Sequence, residues 1–226
     1  MKLHTLYLNR HEDRRLQAGH LWIYSNEVNS SKTPLRQFQP GEQVRVESHG
    51  GRFLGIAYVN PQSLICGRII SRDERQLDRS LLQQRLHHAL ALRSMLFPAP
   101  YYRLIYGESD LLPGLIVDRF GPHLSVQLNT AGMNRLKEEI LDALVELLSP
   151  ESILLRNDSS MRPLEGLSKE VEVAYGSSPE VVELIENGIT MLAPLHNGQK
   201  TGWFFDQRLN RAALKHFVQG KRVLDV

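Results

Sequence analysis

Turn-forming residues punctuate the first 75 positions so closely that no long helix fits among them. Pro40-Gly41, Gly50-Gly51 and Asn60-Pro61 each break the chain, because glycine opens left-handed backbone and proline cannot continue a ladder. Between the breaks, Val44 and Val46 alternate with polar residues, Phe53 to Val59 form one apolar run, and residues 63–71 form another. Alternation of period two marks half-buried strands. Short strands separated by tight turns predict a small β-barrel or sandwich over residues 1–75.

The pattern changes at Asp78. Leu82, Leu86, Ala89, Arg93 and Leu96 follow at helical spacing, with Leu81, Leu90 and Met95 widening the stripe, and Asp78 or Ser80 is placed to cap the helix before Pro98 stops it. Leu115 and Val117 alternate, Gly121-Pro122 turns the chain, and Leu124, Val126 and Leu128 alternate again, which predicts a hairpin. A second helix carries Met133, Leu136, Ile140, Leu144 and Leu147. Residues 152–157 and 170–176 read as strands, and Asn187-Gly188 sits at the centre of a further hairpin over 181–194. The last stretch reads strand–helix–strand. Trp203 to Phe205 form an apolar run, Asp206 takes the N-cap, and Leu209, Ala213 and Phe217 share a face beside Leu214. Gly220 closes the helix, and residues 221–226 begin a buried strand. The fold class is therefore α+β multidomain, with parts at 1–75, 76–195 and 196–226.

Charge follows the same division. The balance is +4 over 1–75, −6 over 76–195 and +4 over 196–226, so two basic ends flank an acidic middle and the ends suit phosphate. No apolar run reaches the roughly 20 residues of a membrane span, and the first 15 residues hold no apolar signal core. With one cysteine, Cys66, no internal disulfide can form, which fits a reducing, cytoplasmic compartment.

The segment Gly198 to Arg211 (GQKTGWFFDQRLNR) combines mobile glycines at 198 and 202, the point charge of Lys200, the hydroxyl of Thr201 and the guanidinium forks of Arg208 and Arg211. Such donors at the start of a helix can receive a carboxylate or phosphate. The same residues also make an ordinary turn and capped helix, and spacing alone does not separate the two readings. The segment resembles a hallmark of class I S-adenosylmethionine-dependent ribosomal RNA methyltransferases of the cytosine-C5 type that carry an N-terminal PUA domain. Three further stretches are similar to that family in the same order: Gly19 to Val28, Gly107 to Arg119 and Arg162 to Leu167.

The resemblance implies a PUA-like RNA-binding barrel at 1–75, a central α+β domain at 76–195, and the beginning of a Rossmann-like methyltransferase domain at 196–226. It implies S-adenosylmethionine as methyl donor and large-subunit ribosomal RNA as partner. Lys200, Thr201, Gly202, Asp206, Gln207, Arg208, Arg211 and Asp225 are the expected cofactor-binding residues, with Asp206 and Gln207 touching the cofactor or orienting Arg208. Arg10, Arg14, Arg15 and His20 are the expected RNA contacts, with Arg52, Arg68 and Arg72 as alternatives on the same domain. The family's glycine-rich cofactor loop and catalytic cysteine lie beyond residue 226, so this chain is expected to be an inactive N-terminal portion without a catalytic residue of its own.

The remaining reactive groups have simpler readings. Pyrimidine C5 methylation needs a thiolate, but Cys66 sits in an apolar strand and reads as core. Trp22 reads as core before it reads as a stacking platform. Glu108, Asp110 and Asp118 read as turn carboxylates around Pro113-Gly114, and the nine histidines show no metal spacing. A homodimer is compatible with the sequence, which shows no interface. The rival functions are a non-catalytic RNA-binding module, another RNA-modifying enzyme on a PUA scaffold, and a small-molecule methyltransferase. Tight RNA binding by the uncut protein with no cofactor site would favour the first, the second leaves segment 198–211 without a purpose, and the third leaves residues 1–75 without one.

Overall fold

A computed structural model describes residues 3–224. The first sheet has the order β1-β3-β4-β5-β2, from β1 (His4–Tyr7), β2 (Trp22–Ile23), β3 (Glu42–Glu47), β4 (Phe53–Val59) and β5 (Gly67–Ser71). β1 pairs parallel to β3 and the other pairs are antiparallel. β3, β4 and β5 fall where the turn residues predict strands, β1 is not marked by that pattern, and Val44 and Val46 point into a core with Leu6, Ile23 and Ile69. The expected closed barrel does not form. β2 is two residues long and its chain then tightens into a 3₁₀ turn at Ser25–Glu27, where the Glu27 carboxylate accepts the Tyr24 N–H at 2.8 Å. The gap between the edges is crossed by a single Leu8–Val28 bridge. A one-turn helix, α1 (Arg14–Gln17), lies in the loop between β1 and β2.

The second sheet has the order β10-β9-β8-β7-β6, from β6 (Tyr101–Tyr106), β7 (Leu115–Phe120), β8 (His123–Leu128), β9 (Ser152–Asn157) and β10 (Glu170–Gly176). On one face lie α2 (Arg79–Leu96), α3 (Ala131–Arg135) and α4 (Lys137–Leu148). Asp78 caps α2 as expected, accepting the Leu81 N–H at 2.8 Å. Leu81, Leu82, Leu86 and Ala89 are buried, but the stripe runs out before Met95 and Leu96, which are exposed beyond the edge of the sheet. The expected second helix is broken at Leu136 into α3 and α4.

On the other face lies the hairpin of β11 (Val181–Glu186) and β12 (Ile189–Pro194). Asn187 and Gly188 both have positive φ (54° and 80°), the geometry a two-residue hairpin turn needs. Strand alternation separates two cores. Ile153 and Leu155 face the helices, while Leu154 and Phe120 face the hairpin with Val182, Leu184, Ala193 and Phe205.

The first and second sheets share a core. Ile56, Tyr58 and Ile70 of the first pack in one cluster with α2 and the second sheet. The Tyr58 hydroxyl donates to the Pro113 carbonyl at 2.6 Å and lies 3.0 Å from Thr130 Oγ1. Gly132 faces the Tyr58 ring so closely that a Cβ there would lie 2.3 Å from the ring, so only glycine fits. Beyond the hairpin, the expected strand over Trp203–Phe205 is absent. The chain forms a turn and a 3₁₀ segment at Phe205–Gln207 that leads into α5 (Arg208–Val218). Asp206 lies inside the 3₁₀ turn and Gln207 takes the N-cap position without a side-chain cap. The shared face of α5 carries Leu209, Leu214 and Phe217, all exposed. Gly220, with φ of 68°, follows the helix as expected. Among the described residues of 196–224 there is no strand, so the expected opening of a Rossmann-like sheet is not seen there. Val223 and Leu224 have no ladder to join and are exposed.

Candidate functional site

Segment 198–211 is docked on the hairpin side of the second sheet by three acid–base clusters. The first centres on Asp118, fully buried on β7. Both prongs of Arg103 reach it at 2.9 Å, and the Thr201 hydroxyl donates to it. Burial of Arg103 disfavours its charge, but its bonds to Asp118 outweigh that and raise its pKa. The second is Arg156, which donates to the carbonyls of Leu195 and Gly198 (2.7 Å to Gly198) and pairs with Asp158 at 2.9 Å. The third is Glu186, buried at the end of β11. It accepts from Trp203 Nε1 at 3.1 Å, from Arg211 Nε at 2.5 Å and from Arg208 Nε at 3.4 Å. Burial alone would raise the Glu186 pKa, but the bonds from Arg211 and Trp203 and the charges of Arg211 and Arg208 hold it below the ordinary carboxylate range.

The two glycines of the segment have a steric reason. A Cβ on Gly198 would lie 2.2 Å from the Pro194 carbonyl oxygen, and Gly202 adopts φ of 111°.

This geometry divides the expected cofactor residues. Thr201, Arg208 and Arg211 face the protein and hold the segment, and Arg208 also donates to the Tyr101 carbonyl and stacks 4.6 Å from the Phe97 ring. Gly202 forms the bend. Lys200, Asp206 and Gln207 are exposed. Lys200 Nζ lies 4.2 Å over the Phe204 ring, and the Asp206 carboxylate receives Gln207 Nε2 at 3.2 Å. Asp225 lies outside the described residues. As a test of fit, the segment offers S-adenosylmethionine three open polar side chains on a rigid base, whereas the two guanidinium forks are already engaged.

The expected RNA residues gather on one surface around α1. Arg10 and Arg14 are exposed. Arg15 pairs with Glu27 at 2.9 Å, lies 4.9 Å over the Tyr24 ring and meets the His20 ring at 3.0 Å. Of the alternatives, Arg52 is exposed and bonded to Asp13 at 2.8 Å, and Arg72 donates to the His20 carbonyl at 2.8 Å. Arg68 is buried against Glu165 at 2.9 Å, which removes it from any RNA surface. Trp22 is half-buried, and its Nε1 donates to Glu108 across the two sheets at 2.8 Å.

The turn-carboxylate reading holds in part for Asp110, which accepts the Tyr106 N–H at 2.6 Å, and needs correction for Glu108 and Asp118. Glu108 binds Trp22, Asp110 takes both prongs of Arg93 at 2.7 Å, and Asp118 is the buried anchor of Thr201. The sequence signal for Asp118 was its place on the alternating strand Leu115–Phe120, in phase with Phe120. Glu186 carried a similar signal, in phase with Val182 and Leu184. Cys66 is fully buried beside the Ile23 carbonyl, and burial pushes its thiol up to about 12. Among the described residues no cluster of three His, Cys, Asp or Glu could hold a metal, and no helix is long and apolar enough to cross a membrane.

Residues 6–72 match the PUA-like domain family. Beyond the PUA-like domain, the chain is similar to "Ribosomal RNA large subunit methyltransferase I" of Aliivibrio fischeri, at 35% identity over 98% of this chain and 56% of that protein. The proteins of the same name from Tolumonas auensis (34%) and Pseudoalteromonas translucida (35%) cover the same shares. The chain thus spans little more than half the length of the curated relatives it matches. Among solved structures, a Streptococcus mutans protein assigned as a SAM-dependent methyltransferase aligns with a TM-score of 0.75 over 94% of this chain and 54% of its own, at 21% identity. Another assigned methyltransferase, solved with SAH, gives 0.77 over 95% and 53%, also at 21%. These two share the fold.

Proposed function

We propose that this chain is the RNA-engaging part of an S-adenosylmethionine-dependent methyltransferase acting on large-subunit ribosomal RNA, with cytosine C5 as the methyl acceptor. The observation that carries the reading is the 34–35% identity to named large-subunit methyltransferases over 98% of this chain. On this reading Arg10, Arg14, Arg15 and His20 meet RNA phosphates from the PUA-like domain, a role their exposure supports.

Segment 198–211 borders the cofactor site. Lys200, Asp206 and Gln207 are the side chains open to S-adenosylmethionine, and Asp225 follows them in the same role. Thr201, Arg208 and Arg211 act as positioning residues through Asp118 and Glu186. When bound, the cofactor supplies the methyl group. The nucleophile that C5 chemistry requires is not Cys66, whose buried thiol stays protonated at neutral pH, so residues 1–226 alone transfer no methyl group. The division at 1–75, 76–195 and 196–226 and a cytoplasmic location belong to the same reading.

The test is methyl transfer by the protein as encoded in its source, with labelled S-adenosylmethionine and unmodified large-subunit rRNA, followed by nucleoside mass spectrometry. The expected product is 5-methylcytidine. Label on another base would overturn the cytosine-C5 assignment, and transfer to small molecules alone would overturn the RNA reading.

A further inference from the structure

A cleft of about 650 Å³ opens between the PUA-like sheet and α2, and no role described so far uses it. That volume lies in the range of nucleotide-sized ligand sites. Leu81, Ala89 and Leu92 of α2 form one wall, and Leu21, Ile70 and Leu111 form the others. Arg72, Arg75 and Arg85 line the same space. A smaller hollow of about 280 Å³ adjoins it, shares Gly19 and Arg72 with it, and has Arg52 in its lining.

The partners of these arginines set them apart. Elsewhere in the chain, buried and partly buried guanidinium groups meet carboxylates: Arg68 meets Glu165, Arg93 Asp110, Arg103 Asp118, and Arg211 Glu186. In the cleft they meet neutral groups. Arg72 donates to the His20 carbonyl at 2.8 Å, and Arg75 to Gln84 Oε1 at 2.8 Å and Ser80 Oγ at 3.1 Å. Arg85 donates to the carbonyls of Leu111 and Ile70. The carboxylate on the wall, Asp110, is held by both prongs of Arg93, and Asp73 is exposed at the rim. Arg119 also has only neutral acceptors, but it stands apart on β7. Burial pushes the Arg85 pKa down to about 10, and the like charge of Arg75 pushes the same way. Like charges gathered in a concave, partly dry space attract an anion.

A free phosphate would satisfy the charge and leave the apolar wall unused. A nucleotide uses both, because a base packs on aliphatic surface or on a guanidinium plane while its phosphate takes the forks. The cleft holds more than one arginine for one phosphate, Arg72, Arg75 and Arg85, and the adjoining hollow adds Arg52, which pairs with Asp13, so the lining suits a strand. Through the His20 carbonyl, Arg72 joins this lining to the surface around α1. We propose that the cleft binds an unpaired nucleotide of single-stranded RNA, its base against Leu81 and Leu92 and its phosphates on Arg72 and Arg75. The inference rests on the reading of this chain as RNA-engaging.

The test is fluorescence anisotropy of a labelled single-stranded RNA of about twelve nucleotides with the whole chain. Arg72→Gln/Arg75→Gln is expected to weaken binding at least tenfold. It should also lower the slope of log K against log salt by about 1.4, the loss of two single-strand phosphate contacts. Leu92→Trp, which fills the cleft from an exposed position, is expected to weaken binding and leave that slope unchanged. If both variants bind as the unmodified chain does while Arg10→Gln/Arg14→Gln binds weakly, the cleft proposal is overturned and the RNA reading stands. If the unmodified chain binds no RNA, both fall. Displacement of the RNA by an equal concentration of free cytidine monophosphate would assign the cleft to mononucleotides and overturn the strand.

Discussion

Replacing Glu165 by alanine removes a fully buried carboxylate that ties the PUA-like domain to the second sheet. The residue is buried, with one oxygen on Arg68 Nη1 at 2.9 Å and the other on Asn60 Nδ2 at 2.8 Å and the Ala131 N–H at 3.3 Å. Removing one member of a buried ion pair strands the other charge, at a cost of about 3–5 kcal/mol. Glu165→Ala is expected to fall in that range, and Glu165→Gln, which keeps an acceptor for Asn60, to cost less. Arg68→Met/Glu165→Ala removes both charges and is expected to recover about half of the alanine loss, since the Ala131 N–H and one Asn60 N–H still lack an acceptor at about 1–3 kcal/mol in total, while Asn60 Nδ2 keeps its bond to the carbonyl of residue 165. The assay is urea unfolding at pH 7 followed by circular dichroism and by tryptophan fluorescence. Because Ile56, Tyr58 and Ile70 share a core with α2, the two probes should report one transition in the unmodified chain. A Glu165→Ala loss below about 1 kcal/mol, or a double variant less stable than the single, would refute the buried-pair reasoning.

Three other outcomes follow from the same geometry. Gly132→Ala places a methyl group against the Tyr58 ring and should destabilise by about 1–3 kcal/mol or more, read as a lowered urea midpoint. Thr201→Val removes a donor from Asp118 while Arg103 still neutralises it, so the cost should be about 1–2 kcal/mol, with faster proteolysis at 198–207 as the readout. The pKa of Glu186 is depressed in the folded state, so its contribution is fully present above the unfolded glutamate value of about 4.3 and is lost as pH falls through the lower folded value. Trp203 emission, followed in a Trp22→Phe background, should therefore stay constant at neutral pH and shift on acidification below that range. Glu186→Gln should show the shifted emission already at pH 7.

What the sequence made legible was local. Asp78 announces α2 because its cap bond spans three residues, and Asn187-Gly188 announces its hairpin because the turn needs positive φ at both positions. β3, β4 and β5 of the first sheet follow from the same kind of punctuation. What escaped were partnerships between distant residues. Glu165 and Arg68 are 97 positions apart, Thr201 and Asp118 are 83, and nothing within either neighbourhood names the other. The closed barrel failed because strand pattern does not say whether edge strands meet, and here β2 is too short to pair with β1. Segment 198–211 was legible as a unit, but its two arginines were expected to face a ligand and instead face Glu186. A guanidinium reads the same in sequence whether its acid is substrate or protein.

The second sheet carries the PUA-like domain, α2 and the arginine cleft on one side, and Thr201, Phe205 and the bend at Gly202 on the other. No tether of adjustable length separates the two. If the cleft and segment 198–211 serve as proposed, two stations for a long substrate are mounted on a gauge block whose width is one sheet and its cladding. An RNA seated in the cleft would present its next nucleotides to the far side at a preset span, and a strand one nucleotide longer or shorter between those points would arrive out of register.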